Sequence, residues 1–417
     1  MSPAVELLRT SIQPYAWGST TAIPAILGEE PTGRPQAEMW IGAHPVAPSR
    51  VVRDGVEVAL DELVTADPDS ELGTDTARRF GRFPFLLKIL AAGAPLSLQA
   101  HPSAAGARAG FAAEDAAGVA RDAPDRNYRD DWPKPEIACA LTPFRALAGF
   151  RDPARSLPVL QALAAAAPAS AVLAGLVEGL RSAVDPAEAI ARTLRTVLEQ
   201  RGEERVVVAG AVVAAARESR GRSDADADLA ADLDFVLELA AGYPGDPSVL
   251  AALLLNRFTL APGEAVFLPA GNLHAYLSGT AVELMASSDN VLRGGLTTKH
   301  VDVPELLSVL DTTPRPADIV RPVRVSDHEF AYPTPTREFA LSRLEVTTDG
   351  PARVPDPGGP QLLLCVAGAA VVTGDGPSSE AVVLGSGRAG YARAGCGELV
   401  VSGNPAATVF RAVPGDD

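Results

Sequence analysis

At 417 residues, with 47% apolar and 21% charged residues, the chain has globular composition and enough length for two or three domains, which excludes a disordered or fibrous protein. A formal net charge of −16 repels nucleic acid and anionic membrane over most of the surface, so neither is an expected partner and an anionic ligand needs a local basic pocket. Cys139, Cys365 and Cys396 are too few and too scattered for a disulfide framework, which fits a reducing cytoplasm.

The opening stretch MSPAVELLRTSIQPYAWGS carries Glu6 and Arg9 where a secretion signal needs an apolar run, so no signal peptide is expected. Residues 1 to about 150 read as short strands joined by Gly/Pro turns, as in AEMWIGAHPVAPSRVV and RFPFLLKILAAGAPLSLQAHPS. From Asp152 to Asn256 the texture becomes Ala/Leu-rich. The uncharged run Leu157 to Val177 is broken by Pro158, Gln161, Pro168 and Ser170 and makes a poor membrane span. Asp185 reads as a helix N-cap, with Pro186 at the first helical position, Glu188 in the first turn, and Ile190, Leu194, Val197 and Leu198 at helical spacing. Leu229, Leu233, Val236 and Leu237 repeat in the same way after Ser223 and a run of aspartates. Gly242, Tyr243 and Pro244 end that helix, and Asp246-Pro247 starts another. Strand texture returns at Phe258 in FTLAPGEAVFLPAGNLHAYLSGTAVELM, and the Gly/Pro/Val-rich segment after about Arg321 reads as a second small barrel or jelly roll. The expected organisation is mainly β: residues 1–151 and 257–320 form one domain, 152–256 a helical insertion, and 321–417 a C-terminal jelly-roll-like domain.

Gln99 and His101, in LSLQAHPS, face one side of an extended strand. With Glu136 in DWPKPEIACAL and His274 in LPAGNLHAYLSG they offer two imidazoles, a carboxylate and an amide oxygen, a donor set that permits Zn, Mn, Co, Ni or Fe. Taken singly, each has a plainer reading: His101 caps a turn before Pro102, His274 is a half-buried strand residue, and Glu136 is a solvated carboxylate. The stretch GEAVFLPAGNLH, however, resembles the second metal motif of the cupin superfamily, with Ser278 at the motif's final Asn position. QAH resembles the first motif, with Gln99 in place of its first His.

The stretches QPYAWGS, PQAEMWIGAHP, FPFLLKILAAGAPLSLQAHP, NYRDDWPKPEIACALTPFRALAGF and FLPAGNLHAYLSGTAVELMASSDNVLRGGLTTKH, in that order over residues 13 to 300, resemble the type I mannose-6-phosphate isomerases, or phosphomannose isomerases. The resemblance implies a cupin jelly-roll fold and one zinc ion per chain held by Gln99, His101, Glu136 and His274. It also implies interconversion of mannose 6-phosphate and fructose 6-phosphate through a metal-assisted cis-enediol proton transfer. A small phosphosugar is the expected partner, and the chain is expected to act as a cytoplasmic monomer. The family commonly reads His-Lys-Pro-Glu where this chain has Pro133-Lys134-Pro135-Glu136, so a mechanism that relies on that histidine cannot operate here.

For the proton-transfer base the candidates are Glu283, Lys134 and Asp289, in that order. Glu283 follows His274 by nine residues, and beyond a Gly turn its strand could run back past the metal; its plainer reading is a surface strand residue. Lys134 shares a strand face with Glu136 near the metal, or is a solvated lysine paired with Asp130 or Asp131. Arg293, beside Gly294-Gly295, is the leading candidate for holding phosphate or stabilising the enediolate, with Lys299, Lys88 and Ser97 as further phosphate contacts. Trp17 and Tyr276 line the sugar site or simply pack. His44 and His300 lie in family-like segments without an assigned role, and His328 reads as a surface residue. Two other classes compete: an iron-dependent cupin oxygenase and a non-catalytic sugar-binding cupin.

Overall fold

Two antiparallel sheets hold nearly all strands of the computed structural model, which describes residues 4–222, 226–374 and 380–416. Ser223, read above as preceding a helix, lies outside the described residues. The main path of the first sheet runs Asp318–Val320, Ala265–Leu268, Glu136–Ala140, His274–Ala286, Phe85–Ala92, Glu38–Gly42 and Ser11–Gln13. His274–Ala286 serves two branches. From Gly279 onward it pairs with Phe85–Ala92, and from Ala281 also with Glu136–Ala140, whereas its first residues pair with Phe144–Phe150 and Gln99–Ala100. Such two-branched antiparallel pairing is what a jelly roll requires.

Side-chain alternation along these strands separates a polar cavity from two cores. In Phe85–Ala92, Leu86, Lys88 and Leu90 line the cavity while Phe85, Leu87, Ile89 and Ala91 enter a core shared with the second sheet. In the other branch, His274 and Tyr276 line the cavity while Leu273, Ala275 and Leu277 join a core made with the helices. Even-numbered residues therefore face the cavity at the start of the long strand, yet Glu283 and Met285 face it further on. A β-bulge accounts for the change: Tyr276 lies opposite Ala146, Ser278 opposite Arg145, and the extra residue reverses the parity. The sequence reading, which brought Glu283 back to the site across a Gly turn, is corrected here. Gly279 (φ +113°) kinks a strand that continues, because the neighbouring Pro143–Phe144 backbone leaves no room for a Cβ.

The helices between residues 153 and 252 bury Val159, Leu160, Leu194, Val212, Leu233 and their neighbours against Leu98, Ala100, Leu147, Leu273 and Leu292, the back of the strands that carry Gln99 and His274. Pro186–Leu198 begins as its sequence indicates, with the Asp185 side chain accepting from the Ala187 N–H and Pro186 in the first turn. The last helix of this segment differs from expectation: Val249–Ala252 has Ser248 as its N-cap, and Asp246 accepts hydrogen bonds from the Ser248 N–H and Oγ. Residues 1–150 also hold more helix than the strand texture suggests. Leu60–Ala66, Pro68–Leu72 and Thr74–Phe80 are separated by Asp67 and Gly73, and Ser103 caps Ala104–Ala116 through the Gly106 N–H. Among the described residues no helix is long and apolar enough to cross a membrane.

The second sheet is built around Gln361–Gly374, Leu399–Val413 and Ala340–Thr347, and its edge is the first strand of the chain, Glu6–Leu8, paired with Ala389–Ala392. Arg53 fastens this edge by ion pairs to Glu6 (2.7 Å) and buried Glu71, whose carboxylate also accepts from the Tyr391 hydroxyl at 2.9 Å. Leu341, Leu362, Leu364 and Phe410 of this sheet share one core with Phe85, Leu87, Val282 and Leu284 of the first. At its margin the Cys139 thiol donates to the Tyr332 hydroxyl (3.2 Å), which donates to the Gly263 carbonyl (3.0 Å).

Candidate metal centre and active site

Strand pairing brings distant ligands together before any side chain is considered. His274 lies opposite Gln99 in one register, and Gln99 lies opposite Arg293 in the next. The ring of His101 is 5.2 Å from that of His274, and Glu136 sits between them, its Oε1 3.4 Å from His101 Nε2 and its Oε2 3.3 Å from His274 Nε2. All three side chains are buried.

Hydrogen bonds fix how these groups present themselves. His101 Nδ1 donates to the Asn290 carbonyl (2.7 Å) and His274 Nδ1 to the Asn272 carbonyl (3.1 Å), which leaves both Nε2 lone pairs turned toward the Glu136 oxygens. His101 Nε2 is a buried atom without a hydrogen-bond partner. Burial lowers the His101 pKa to about 4, so its imidazole is neutral at physiological pH and no proton occupies that gap. Burial alone would raise the Glu136 carboxyl, but His101 and Lys134 outweigh it and hold the carboxyl well below the usual range. Acceptors facing acceptors in a dry site call for a cation. Two ligands about 2.0–2.1 Å from one zinc ion at a tetrahedral angle are roughly 3.3–3.4 Å apart, which matches the two His–Glu separations. Gln99 Nε2 donates to Ser97 Oγ (3.1 Å), and its amide oxygen is left as a fourth donor.

A cavity of about 220 Å³ opens beside this cluster, lined by Gln99, Glu136 and His274 together with Ser97, Lys88, Lys134, Glu283, Asp289, Arg293, Lys299, Trp17 and Tyr276. Of the residues given a site role from the sequence, all line it except His101, which reaches the cluster through Glu136. On one wall buried Lys88 pairs with Glu283 (2.9 Å) and Glu38 (3.5 Å). Burial pulls the Lys88 ammonium down, but Glu283, Glu38 and Glu136 outweigh it and keep it protonated. Burial raises Glu283, in part against Lys88. The Tyr276 hydroxyl is buried beside Glu283, and burial with that carboxylate raises its pKa. Lys134 pairs with Glu136 (3.2 Å), not with Asp130 or Asp131.

Another part of the lining, Arg293 and Lys299, is basic. Arg293 is half-buried, burial and the nearby Arg129 charge lower its pKa, and burial with Arg293 and Arg129 does the same to Lys299. Among the described residues none of the three has an ion-pair partner, in a chain with a net charge of −16. Converging cations without carboxylates make an anion site. Lys88, by contrast, is already neutralised by carboxylates.

Four polar or aromatic residues of the cavity were not assigned roles from sequence: Tyr15, Glu38, Trp40 and His44. Trp40 Nε1 donates to Glu38 at 2.6 Å, and the Lys88 ammonium lies 5.6 Å from the Trp40 ring centre. His44 Nδ1 accepts from the Val46 N–H, so its Nε2 carries a proton, 3.4 Å from Asp289 Oδ1. Burial would raise Asp289, and His44 outweighs it and lowers the carboxyl. The signal for Glu38 and Trp40 was their i, i+2 spacing in AEMWIGAHP; Arg129, in a loop, carried none. His328, read as a surface residue, is half-buried with Nδ1 3.1 Å from the Glu345 carbonyl oxygen.

Residues 5–153 match the family model for the catalytic domain of phosphomannose isomerase type I. The mannose-6-phosphate isomerase of Salmonella typhimurium is 38% identical over 379 residues, covering 89% of this chain and 91% of that protein. The human mannose-6-phosphate isomerase is 33% identical, covering 83% of each chain. Among solved structures, the Salmonella typhimurium mannose 6-phosphate isomerase bound to its substrate fructose 6-phosphate and zinc superposes with a TM-score of 0.86 at 34% identity, over 99% of this chain and 100% of that one. A zinc-bound holo form of mannose 6-phosphate isomerase gives 0.87 with the same coverage.

Proposed function

We propose a division of labour within the cavity from one premise: the chain belongs to the type I mannose-6-phosphate isomerase family. It interconverts D-mannose 6-phosphate and D-fructose 6-phosphate, moving a proton between C2 and C1 through a cis-enediol once the sugar ring is open. Its cofactor is zinc, which when bound supplies Lewis-acid polarisation of the sugar's carbonyl oxygen. Gln99, His101, Glu136 and His274 would hold it.

Glu283 takes the proton from C2 and returns it at C1, while the O2 hydroxyl proton passes to O1 as the carbonyl moves from C1 to C2. Burial brings its carboxyl toward the operating pH, where a base works best. Lys88, kept protonated, holds Glu283 in place and offers its ammonium to negative charge developing on the enediol oxygens. Arg293, Lys299 and Arg129 receive the phosphate, and Ser97 orients Gln99 while bordering the sugar. Trp17 and Tyr276 wall the sugar site. Lys134, tied to Glu136, and Asp289, engaged by His44, are the second and third candidates for the base. Three free cysteines, two of them buried, support a reducing cytoplasm.

One observation carries this reading: the His101–Glu136–His274 cluster, the Lys88–Glu283 pair and the unpaired cations Arg293 and Lys299 meet at a single cavity, with Arg129 close to the two cations. An iron oxygenase or a passive sugar-binding module leaves the cations and the buried pair without a use. The test is Glu283→Gln in a coupled assay with metal analysis. We expect zinc retained and kcat lowered about 10²–10⁴-fold; near-normal kcat would remove Glu283 from proton transfer.

A further inference from the structure

No residue between 153 and 252 lines the cavity, yet this helical segment packs directly behind it. We propose that Asp246 and Ser248, at the end of the segment, are positioning residues for the phosphate cations, locking turn 294–297 in the conformation that presents Arg293 and Lys299 to the cavity. The proposal rests on the reading of those cations as the phosphate site.

The turn is held in an unusual state. Leu296 has φ +52°, one of two non-glycine residues with positive φ among those described, and its side chain is fully buried in the helical core. A leucine does not adopt the left-handed region unaided. Its N–H donates to Ser248 Oγ at 2.6 Å, Ser248 Oγ donates to Asp246 Oδ1 at 2.6 Å, and the Thr297 N–H reaches Asp246 Oδ2 at 3.4 Å. Arg205 pairs with Asp246 Oδ2 at 2.8 Å and holds that side chain from the helical side. Gly295 (φ +111°) lies so close that a Cβ there would stand 2.2 Å from Ser248 Cβ. On the other side the Gly294 N–H donates to the Leu98 carbonyl (2.7 Å) and the Leu98 N–H to the Gly295 carbonyl (3.0 Å). The turn is thus clamped between the strand that carries Gln99 and the helical segment, and Arg293 and Lys299 flank it.

A phosphate anchor binds ground state and transition state alike, so loosening the clamp should change KM and spare kcat. The experiment is steady-state kinetics of zinc-loaded Ser248→Ala and Gly295→Ala on mannose 6-phosphate, with inorganic phosphate as competitive probe, alongside Arg293→Ala. We expect KM and the phosphate inhibition constant to rise together about tenfold in both clamp variants, with kcat within about threefold and zinc content unchanged. Should Ser248→Ala fail to fold, Ser248→Cys keeps the volume with a poorer acceptor and carries the same expectation at smaller amplitude. Wild-type KM and inhibition constant in folded clamp variants, while Arg293→Ala raises both, would overturn the proposal and leave the phosphate site standing. An unchanged inhibition constant in Arg293→Ala would overturn the phosphate site and the proposal with it. Lost zinc and lowered kcat at unchanged KM would show that the clamp serves the metal and would overturn the proposal too.

Discussion

Replacing Lys88 with methionine keeps most of the side-chain volume and removes the ammonium that lies 2.9 Å from Glu283 and 3.5 Å from Glu38, all three groups being buried. At an effective dielectric constant of about 20 these attractions amount to roughly 6 and 5 kcal/mol before desolvation is subtracted. Broken buried pairs cost about 3–5 kcal/mol net, so the variant should lose about 4 kcal/mol of stability at pH 8. Glu283, already raised by burial, then loses the cation that lowers it and rises further. A carboxyl whose folded pKa exceeds its unfolded value contributes stability that is full below the unfolded pKa and is lost as pH rises through the folded one. The deficit should therefore shrink as pH falls from 8 toward 5.5, by up to about 1.4 kcal/mol per pH unit for one proton. Urea unfolding of the zinc-loaded proteins at several pH values measures this, and kcat should fall about 10²–10⁴-fold in parallel. A variant within about 1 kcal/mol of wild type at pH 8, or a deficit flat with pH, would refute the reasoning.

Further outcomes follow from other parts of the site. His274→Ala and Glu136→Gln should lose zinc and activity together, and chelation of the wild type should inactivate reversibly; full activity in metal-free His274→Ala would end the metal-site reading. Arg293→Lys should lower kcat/KM by about a hundredfold, since an ammonium cannot reproduce a two-pronged guanidinium contact, and near-normal kinetics with zinc intact would take Arg293 out of the site. Gly279→Ala forces a Cβ to within 2.5 Å of the Pro143 carbonyl oxygen and 2.9 Å of Phe144 Cα, at φ +113°. It should cost about 2–4 kcal/mol in a thermal melt, and a loss below about 1 kcal/mol would mean that the kink is not fixed.

The four metal-ligand candidates were legible because ligation demands particular donors, and period-two spacing shows which side they face: Gln99 with His101, His274 at the end of GEAVFLPAGNLH. The helix beginning at Pro186 was legible from its own cap, a purely local signal. What escaped was non-local. The bulge at Tyr276–Ser278 exists only relative to Phe144–Phe150, so nothing in HAYLSGTAVELM announces that Glu283 and His274 face one cavity along a single strand. Glu38 and Trp40 sit in a wholly buried strand whose pattern resembles core, and their polar role depends on Lys88 arriving from the adjacent strand. The helices between Leu60 and Phe80 were absorbed into strand texture although Asp67-Pro68, Gly73 and Gly81 punctuate them as helix starts and stops.

Pairing of Glu6 with Tyr391 has a consequence for how the chain is made. During synthesis the first strand emerges long before its partner, and until residues 389–392 leave the ribosome it has no edge to join. Arg53 and Glu71 are available early, but Tyr391, which completes their network, is not. The core shared by the two sheets likewise waits for Leu362, Leu364 and Phe410. Nascent chains therefore expose one apolar face of the catalytic sheet until translation is nearly complete, and contacts this distant in sequence close slowly. Chaperone dependence during expression should fall on that interval, and truncation shortly before Ala389 should leave a chain that binds holdases and does not assemble its active site.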